Sequence, residues 1–351
     1  MNVRRLVGRA ALVLVSVVLS IKAADVAVGL IDPYGISHFE HKAAFNEWCL
    51  RPWEERCKPG FAVMELVPGQ RVEAGVTYAA NALGFRGRET TLDKPDDVWR
   101  IVVLGDSVAF GWGVEADERF TEVAEARLNE GRASQSEKGP RIEILNLGVP
   151  GYETNHQGLV FTDKALPLDP DAVVFAFNWN DVQLEPDEVV THVLGEFQNR
   201  MNAKGWIAKQ LIALNKRPFM SRWLPELRSL FSYTTIYALK PGDEVTLREI
   251  YASMKVGIEK AGAVYQTAHA VAKERGVGLG VIDLYAFEPI EAELKRRGVP
   301  YGDMSFDGFD SDMTVRNSPS DPHPNPRGHQ MIAEQFVKQL RALALLPPEG
   351  S

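Results

Sequence analysis

Short runs of apolar, largely β-branched residues alternate along this chain with stretches in which apolar positions return every three or four residues. The buried-strand pattern occurs at Trp99 to Leu104, Ile142 to Leu147, Ala172 to Phe177 and Gly278 to Leu284. Helical spacing follows the first strand over Arg119 to Asn129, where Phe120, Val123, Ala124 and Leu128 share a face. It returns over Ala261 to Gly276, and again after Pro326 through Met331, Ile332, Phe336, Val337 and Leu340. Gly131 to Gly139 reads as a polar loop. Strands without internal alternation, separated by helices, predict a parallel sheet covered on both faces.

The alternation lapses twice. Residues 32 to 77 form a poorly periodic, aromatic-containing lead-in. Residues 184 to 257 carry Trp206, Leu211, Leu214, Phe219, Trp223, Leu227 and Phe231 among many basic residues. That stretch reads as a helical insertion: a lid over a site, a membrane-facing flap, or a peripheral subdomain with its own small core.

The N-terminus has a different character. Arg4, Arg5 and Arg9 precede an apolar run from Ala10 to Ile21, and the apolar character continues past Lys22 and Asp25 to Ile31. Two readings follow: a cleaved signal peptide, or an uncleaved anchor over residues 8 to 31. The anchor is favoured, and the basic residues before the run place the N-terminus inside and the rest of the chain across the membrane. Cys49 and Cys57, the only cysteines in 351 residues, would form a small disulfide loop in such an exported chain. A net charge of −8 and the absence of a basic block argue against a nucleic-acid partner. No metal or cofactor is expected.

The chemistry gathers where the strands end. Gly105-Asp106-Ser107 closes the first strand and puts a serine beyond its carboxyl end, where parallel-sheet enzymes hold their ligands. Taken alone, Ser107 reads equally well as a helix cap. The second strand runs into Gly148-Val-Pro-Gly151, and the third into Asn178-Trp-Asn180-Asp181. Near the C-terminus, Ser320-Asp321-Pro-His323-Pro-Asn325 offers a carboxylate two residues before an imidazole. A serine hydroxyl becomes a useful nucleophile when an oriented imidazole takes its proton, and backbone or amide N–H groups can stabilise the resulting oxyanion. His329 falls inside the last helix and reads as structural.

Taken in order, these four segments resemble the blocks of the SGNH (GDSL-type) hydrolases, over roughly residues 78 to 345 without the insertion. The resemblance implies a flavodoxin-like three-layer α/β/α sandwich with a mostly parallel sheet. It also implies a serine esterase with Ser107 as nucleophile, His323 as base and Asp321 as the base's partner. The Ser107 and Gly148 amides and the Asn180 side chain would form the oxyanion hole. Three positions depart from the family pattern. Asn178 stands where the third block usually has glycine. Val108 replaces the leucine of the first block. Asp321 precedes His323 by two residues instead of three, which leaves Asp310 and Asp312 as alternative acids. The segment Asn81-Ala-Leu-Gly84-Phe85-Arg86 resembles a membrane-anchored branch of the family; Arg86 would either structure the site loops or meet an anionic substrate.

The leading expectation is hydrolysis of O-acyl esters, with acetyl groups on envelope carbohydrate as a candidate substrate. Transfer of the acyl group to a sugar hydroxyl, and carbohydrate binding without catalysis, are the alternatives.

Overall fold

The computed structural model describes residues 8–9, 11–17, 19–20, 23, 45, 50–53, 63–133, 139–183, 248, 251–304, 312–318 and 321–348. The expected disulfide between Cys49 and Cys57 and nearly all of the 184–257 insertion lie outside these residues, as does much of the expected anchor. Among the described residues no helix is long and apolar enough to cross a membrane.

Four short strands precede the main sheet: β1 (Leu50–Pro52), β2 (Met64–Leu66), β3 (Gly69–Glu73) and β4 (Val76–Ala80). The first two pair antiparallel, and β3 and β4 form a hairpin. The lead-in is therefore more regular than its sequence suggests. Phe45, Leu50, Val63 and Leu66 are buried in the same core as Tyr78.

The main sheet contains β5 (Val98–Gly105), β6 (Arg141–Asn146), β7 (Ala172–Phe177), β8 (Gly278–Asp283) and β9 (Tyr301–Asp303). All neighbouring pairs are parallel, in the spatial order β6-β5-β7-β8-β9. Counted from β5, this is the 2-1-3-4-5 order of doubly wound flavodoxin-like sheets, whose ligands sit where the winding reverses. Here the reversal lies between β5 and β7, directly beyond Gly105. The four strands expected from sequence are present to within one residue at each end; β9, at three residues, is too short to show a pattern.

Both faces of the sheet are covered. Ile101, Val103 and Val174 face α2 (Phe120–Ala133) and α6 (Pro326–Ala342), which meet through Phe120 and Phe336, their ring centroids 5.1 Å apart. Val102, Leu104 and Phe175 face α3 (Thr154–Val160), α4 (Lys255–Glu274) and α5 (Glu288–Arg297). Since α4 begins at Lys255, the core fold resumes slightly before the expected end of the insertion at 257. The helix also stops at Glu274, short of Gly276.

A buried cation anchors the amino ends of the strands. Arg100 on β5 lies opposite Glu143 on β6 and is 1% exposed. Its Nε donates to Glu143 Oε2 at 2.6 Å, and Nη1 donates to the Leu168 carbonyl at 2.6 Å. Removing the guanidinium leaves Glu143 with the more distant Arg88 and Arg141, at 3.7 and 3.9 Å, and strands the buried Leu168 carbonyl. Arg100→Met should therefore lower unfolding free energy by about 3–5 kcal/mol, measured by urea denaturation, and leave KM unchanged because the pair lies at the sheet end opposite Ser107.

Candidate active site

Ser107 opens α1 (Ser107–Phe110), a single turn at the carboxyl end of β5. Asp106 caps it, its Oδ1 accepting the Val108 N–H at 2.8 Å. His323 sits on β11 (Asp321–Pro324), which pairs antiparallel with β10 (Arg316–Ser318) just before α6. The hairpin brings the His323 ring over the nucleophile turn, with Nε2 2.8 Å from Ser107 Oγ. On the other side of the ring, Nδ1 lies 2.6 Å from Asp321 Oδ1, and the same oxygen accepts the His323 N–H at 3.2 Å. Ser107, His323 and Asp321 thus form one continuous hydrogen-bonded chain. Of the alternative acids, Asp312 is engaged as a cap, accepting the Thr314 N–H at 2.8 Å; Asp310 lies outside the described residues.

The nucleophile turn leaves α1 through Gly111, Trp112, Gly113 and Val114, where the one local backbone bond to these carbonyls among the described residues is a long one, from the Val114 N–H to the Gly111 carbonyl at 3.4 Å. Arg86 serves three of the surrounding carbonyls. It is 2% exposed and lies against the stacked rings of Tyr78 and Phe110, 4.5 and 4.9 Å from their centroids. Nη1 donates to the Phe110 and Gly111 carbonyls at 3.0 and 2.6 Å, and Nη2 to that of Val114 at 2.6 Å. Burial, reinforced by the charge of Arg119, lowers its pKa to about 9, so it remains a cation at neutral pH. Arg86 is a scaffold for the site loops and does not face substrate. Asn81 prepares the preceding turn, its Oδ1 accepting the Leu83 and Phe85 N–H groups at 3.1 and 3.0 Å.

Gly148 departs from its expected place in the oxyanion hole. Its N–H donates to Asn146 Oδ1 at 2.9 Å, and a Cβ at this position would lie 2.7 Å from the Phe110 nitrogen. The position requires glycine because β6 ends hard against the nucleophile turn, a packing constraint with the same sequence signature as an oxyanion donor. Three residues on, Gly151 is exposed, and among the described residues nothing accepts its N–H. The Ser107 N–H is likewise uncommitted, as expected for the first residue of a helix.

Asn180 lies at the β7 end, in a short helical turn over Trp179–Asp181. The Asn178 side chain hydrogen-bonds Asp106, its Nδ2 donating to Oδ2 at 3.1 Å, and the Asn180 amide lies close enough to favour the ionised Asp106 carboxyl. Asn178, which replaces the usual glycine, thereby ties the β7 end to the β5 end. Burial raises the Asp106 carboxyl above its ordinary range, opposed by the Val108 N–H, the charge of His323 and the two amides. Asp181 is fully buried, and its carboxyl is held well above the usual range by desolvation and by the neighbouring Asp106. It accepts the Asn178 N–H at 3.0 Å and the Gln157 amide at 2.9 Å.

His329 is buried in α6, stacked on Phe120, with Nδ1 accepting the Phe120 N–H at 3.2 Å. Burial and the charges of Arg119 and Arg86 lower its pKa to about 3. The unfolded chain therefore binds a proton at this residue between pH ~6.5 and ~3 that the folded chain refuses, so stability falls as pH drops through that window. In a thermal-unfolding series over pH 3.5–7, His329→Asn should keep the acceptor and flatten this decline, whose contribution from one such group is at most ~1.4 kcal/mol per pH unit.

The sequence matches the GDSL-like lipase/acylhydrolase family over residues 103–331. No curated protein matches it in sequence. Among solved structures, the psychrotrophic esterase EstA from Pseudoalteromonas sp. is 10% identical with a TM-score of 0.41, over 70% of this chain and 98% of that one. The acetylxylan esterase Axe2 from Geobacillus stearothermophilus is 11% identical with a TM-score of 0.37, over 69% and 94%. A GDSL-like lipase from Bacteroides thetaiotaomicron is 10% identical with a TM-score of 0.36, over 72% and 92%.

Proposed function

The chain belongs to the GDSL-like lipase/acylhydrolase family and is a hydrolase acting on ester bonds; from that premise we propose that it works through an acyl-enzyme on Ser107. The observation that carries this reading is the hydrogen-bonded chain from Ser107 Oγ through His323 to Asp321 Oδ1, at 2.8 and 2.6 Å. His323 Nε2 takes the Ser107 proton as Oγ attacks the ester carbonyl. Asp321 holds Nδ1–H, fixes the tautomer and stabilises the imidazolium. The collapsing tetrahedral intermediate receives that proton on its leaving alcohol, and a water activated by the same nitrogen then releases the acid and restores Ser107. The uncommitted N–H groups of Ser107 and Gly151, with the Asn180 amide, are the donors proposed for the oxyanion.

We further infer that the domain acts outside the cytoplasm on an O-acyl group of carbohydrate, anchored by its N-terminus. Supporting the anchorage are the arginines before the apolar run and the helical residues 11–17, whose Leu12, Val13, Leu14, Val15 and Val17 side chains are exposed. Apolar side chains so presented need a non-aqueous environment.

Two measurements test the chemistry. A fluorophosphonate probe should modify Ser107, located by peptide mass, and Ser107→Ala should lower kcat on p-nitrophenyl acetate by at least ~10³. Unchanged turnover in that variant would remove Ser107 from the mechanism. Product analysis with an acetylated oligosaccharide, with and without a free sugar acceptor, separates hydrolysis from transfer; the expected product is free acetate in both.

A further inference from the structure

The outer oxygen of Asp321 has a partner that none of the four family-like segments includes. Asn317, on β10, donates from Nδ2 to Asp321 Oδ2 at 3.2 Å. The same nitrogen donates its second hydrogen to the Trp112 carbonyl at 3.1 Å. Trp112 is itself tied to the nucleophile, its N–H donating to the Ser107 carbonyl at 3.0 Å. Its indole lies 6.1 Å from the His323 ring. We propose that Asn317 is a positioning residue for the acid–base pair, holding Asp321 in the orientation that presents Oδ1 to His323 and locking that orientation to the turn carrying Ser107. The proposal rests on the Ser107–His323–Asp321 reading.

The two-residue spacing explains the need. Residues i and i+2 of an extended strand project to the same side, so Asp321 reaches His323 by leaning along its own strand. Oδ1 then serves both the imidazole and the His323 N–H, at 2.6 and 3.2 Å. Oδ2 is left pointing toward the neighbouring strand. Ser318 pairs with Asp321 and Arg316 with Pro324, which puts Asn317 across the hairpin from the triad carboxylate. A single nitrogen with two hydrogens is the economical donor for two acceptors on different loops. Serine has one hydrogen, and aspartate would set one carboxylate against another.

Asn317→Ala and Asn317→Asp test this, with kcat expressed per serine titratable by fluorophosphonate so that misfolded protein is not counted. Asn317→Ala should lower kcat about 10- to 100-fold with KM within about twofold, less than the ~10⁴ that follows loss of an orienting carboxylate's function. Asn317→Asp keeps the shape and adds negative charge beside the imidazole, which stabilises its protonated form. It should therefore move the acid limb of the kcat/KM–pH profile upward, while the fall in kcat per titrated serine at near-constant KM in Asn317→Ala is the change that a merely structural residue would not produce. Full kcat per titrated serine in Asn317→Ala, or an unmoved acid limb in Asn317→Asp, would overturn the proposal. Failure of the triad reading itself shows elsewhere, as retained activity in Ser107→Ala with the wild-type chain unlabelled.

Discussion

A reactive serine at the end of a buried strand requires the chain to turn sharply out of the sheet, and the turn leaves carbonyls that neither helix nor sheet can satisfy. In this protein the carbonyls of Phe110, Gly111 and Val114 are satisfied by one buried guanidinium, and that of Trp112 by Asn317. The Gly111 carbonyl also accepts the Val114 N–H at 3.4 Å, but an unsatisfied buried acceptor costs about 1–3 kcal/mol, so the Phe110 and Val114 carbonyls left orphaned would offset much of what a short turn gains by packing. The Arg86 side chain makes the turn affordable, and the aromatic rings of Tyr78 and Phe110 make it affordable for Arg86 to be there. The β3–β4 hairpin and the turn after it, in this sense, deliver a cation to the turn behind the nucleophile.

The strand ends carry a second common element, buried carboxylates. Asp106, Asp181 and Asp283 end or follow β5, β7 and β8, and each is at most 1% exposed. Burial raises all three, Asp283 to about 6. Each accepts backbone N–H groups from the loop that follows its strand: Val108 at Asp106, Asn178 at Asp181, Tyr285 and Phe287 at Asp283. They shape the loops at the mouth of the sheet, and Asp106 also gathers Asn178 and Asn180 beside Ser107. Rigid first contacts of this kind are what a preorganised charge-stabilising site requires.

The parts of this architecture that repeat with a period were legible in the chain. Val102 and Val103, or Val173 and Val174, are buried on opposite faces and declare a doubly covered strand. Ser107, His323 and Asp321 could be singled out because each falls beside a strand end or in a proline-fixed segment. The short β9 and the largely polar α5, with Ile290 and Leu294 as its buried anchors, carry too few apolar positions to register. Gly148 was open to misreading because a glycine required by close backbone packing and one required as an oxyanion donor are the same letter. Arg86 stands out through the resemblance of the Asn81–Arg86 segment, with two roles open; Asn317 acts through contacts set by tertiary geometry, and no local pattern announces a side chain whose partners lie on another loop.

The hairpin that holds His323 differs in kind from the sheet that holds Ser107. Among the described residues β10 and β11 pair only with each other, and Pro322 and Pro324 withhold two backbone donors from the pairing. Asn325 ties the hairpin to α6, its amide spanning the Thr314 and Arg316 carbonyls at 2.9 Å and its Oδ1 capping the helix, and Asn317 ties it to the Trp112 carbonyl at 3.1 Å. The nucleophile therefore belongs to the central sheet, while its base rides on a two-stranded unit outside that sheet, the kind of local unit that opens at a lower free energy than the whole. Under mild denaturant or heat the catalyst should be disassembled and reassembled many times within the lifetime of one folded sheet, its turnover dying away while the far-ultraviolet spectrum stays intact.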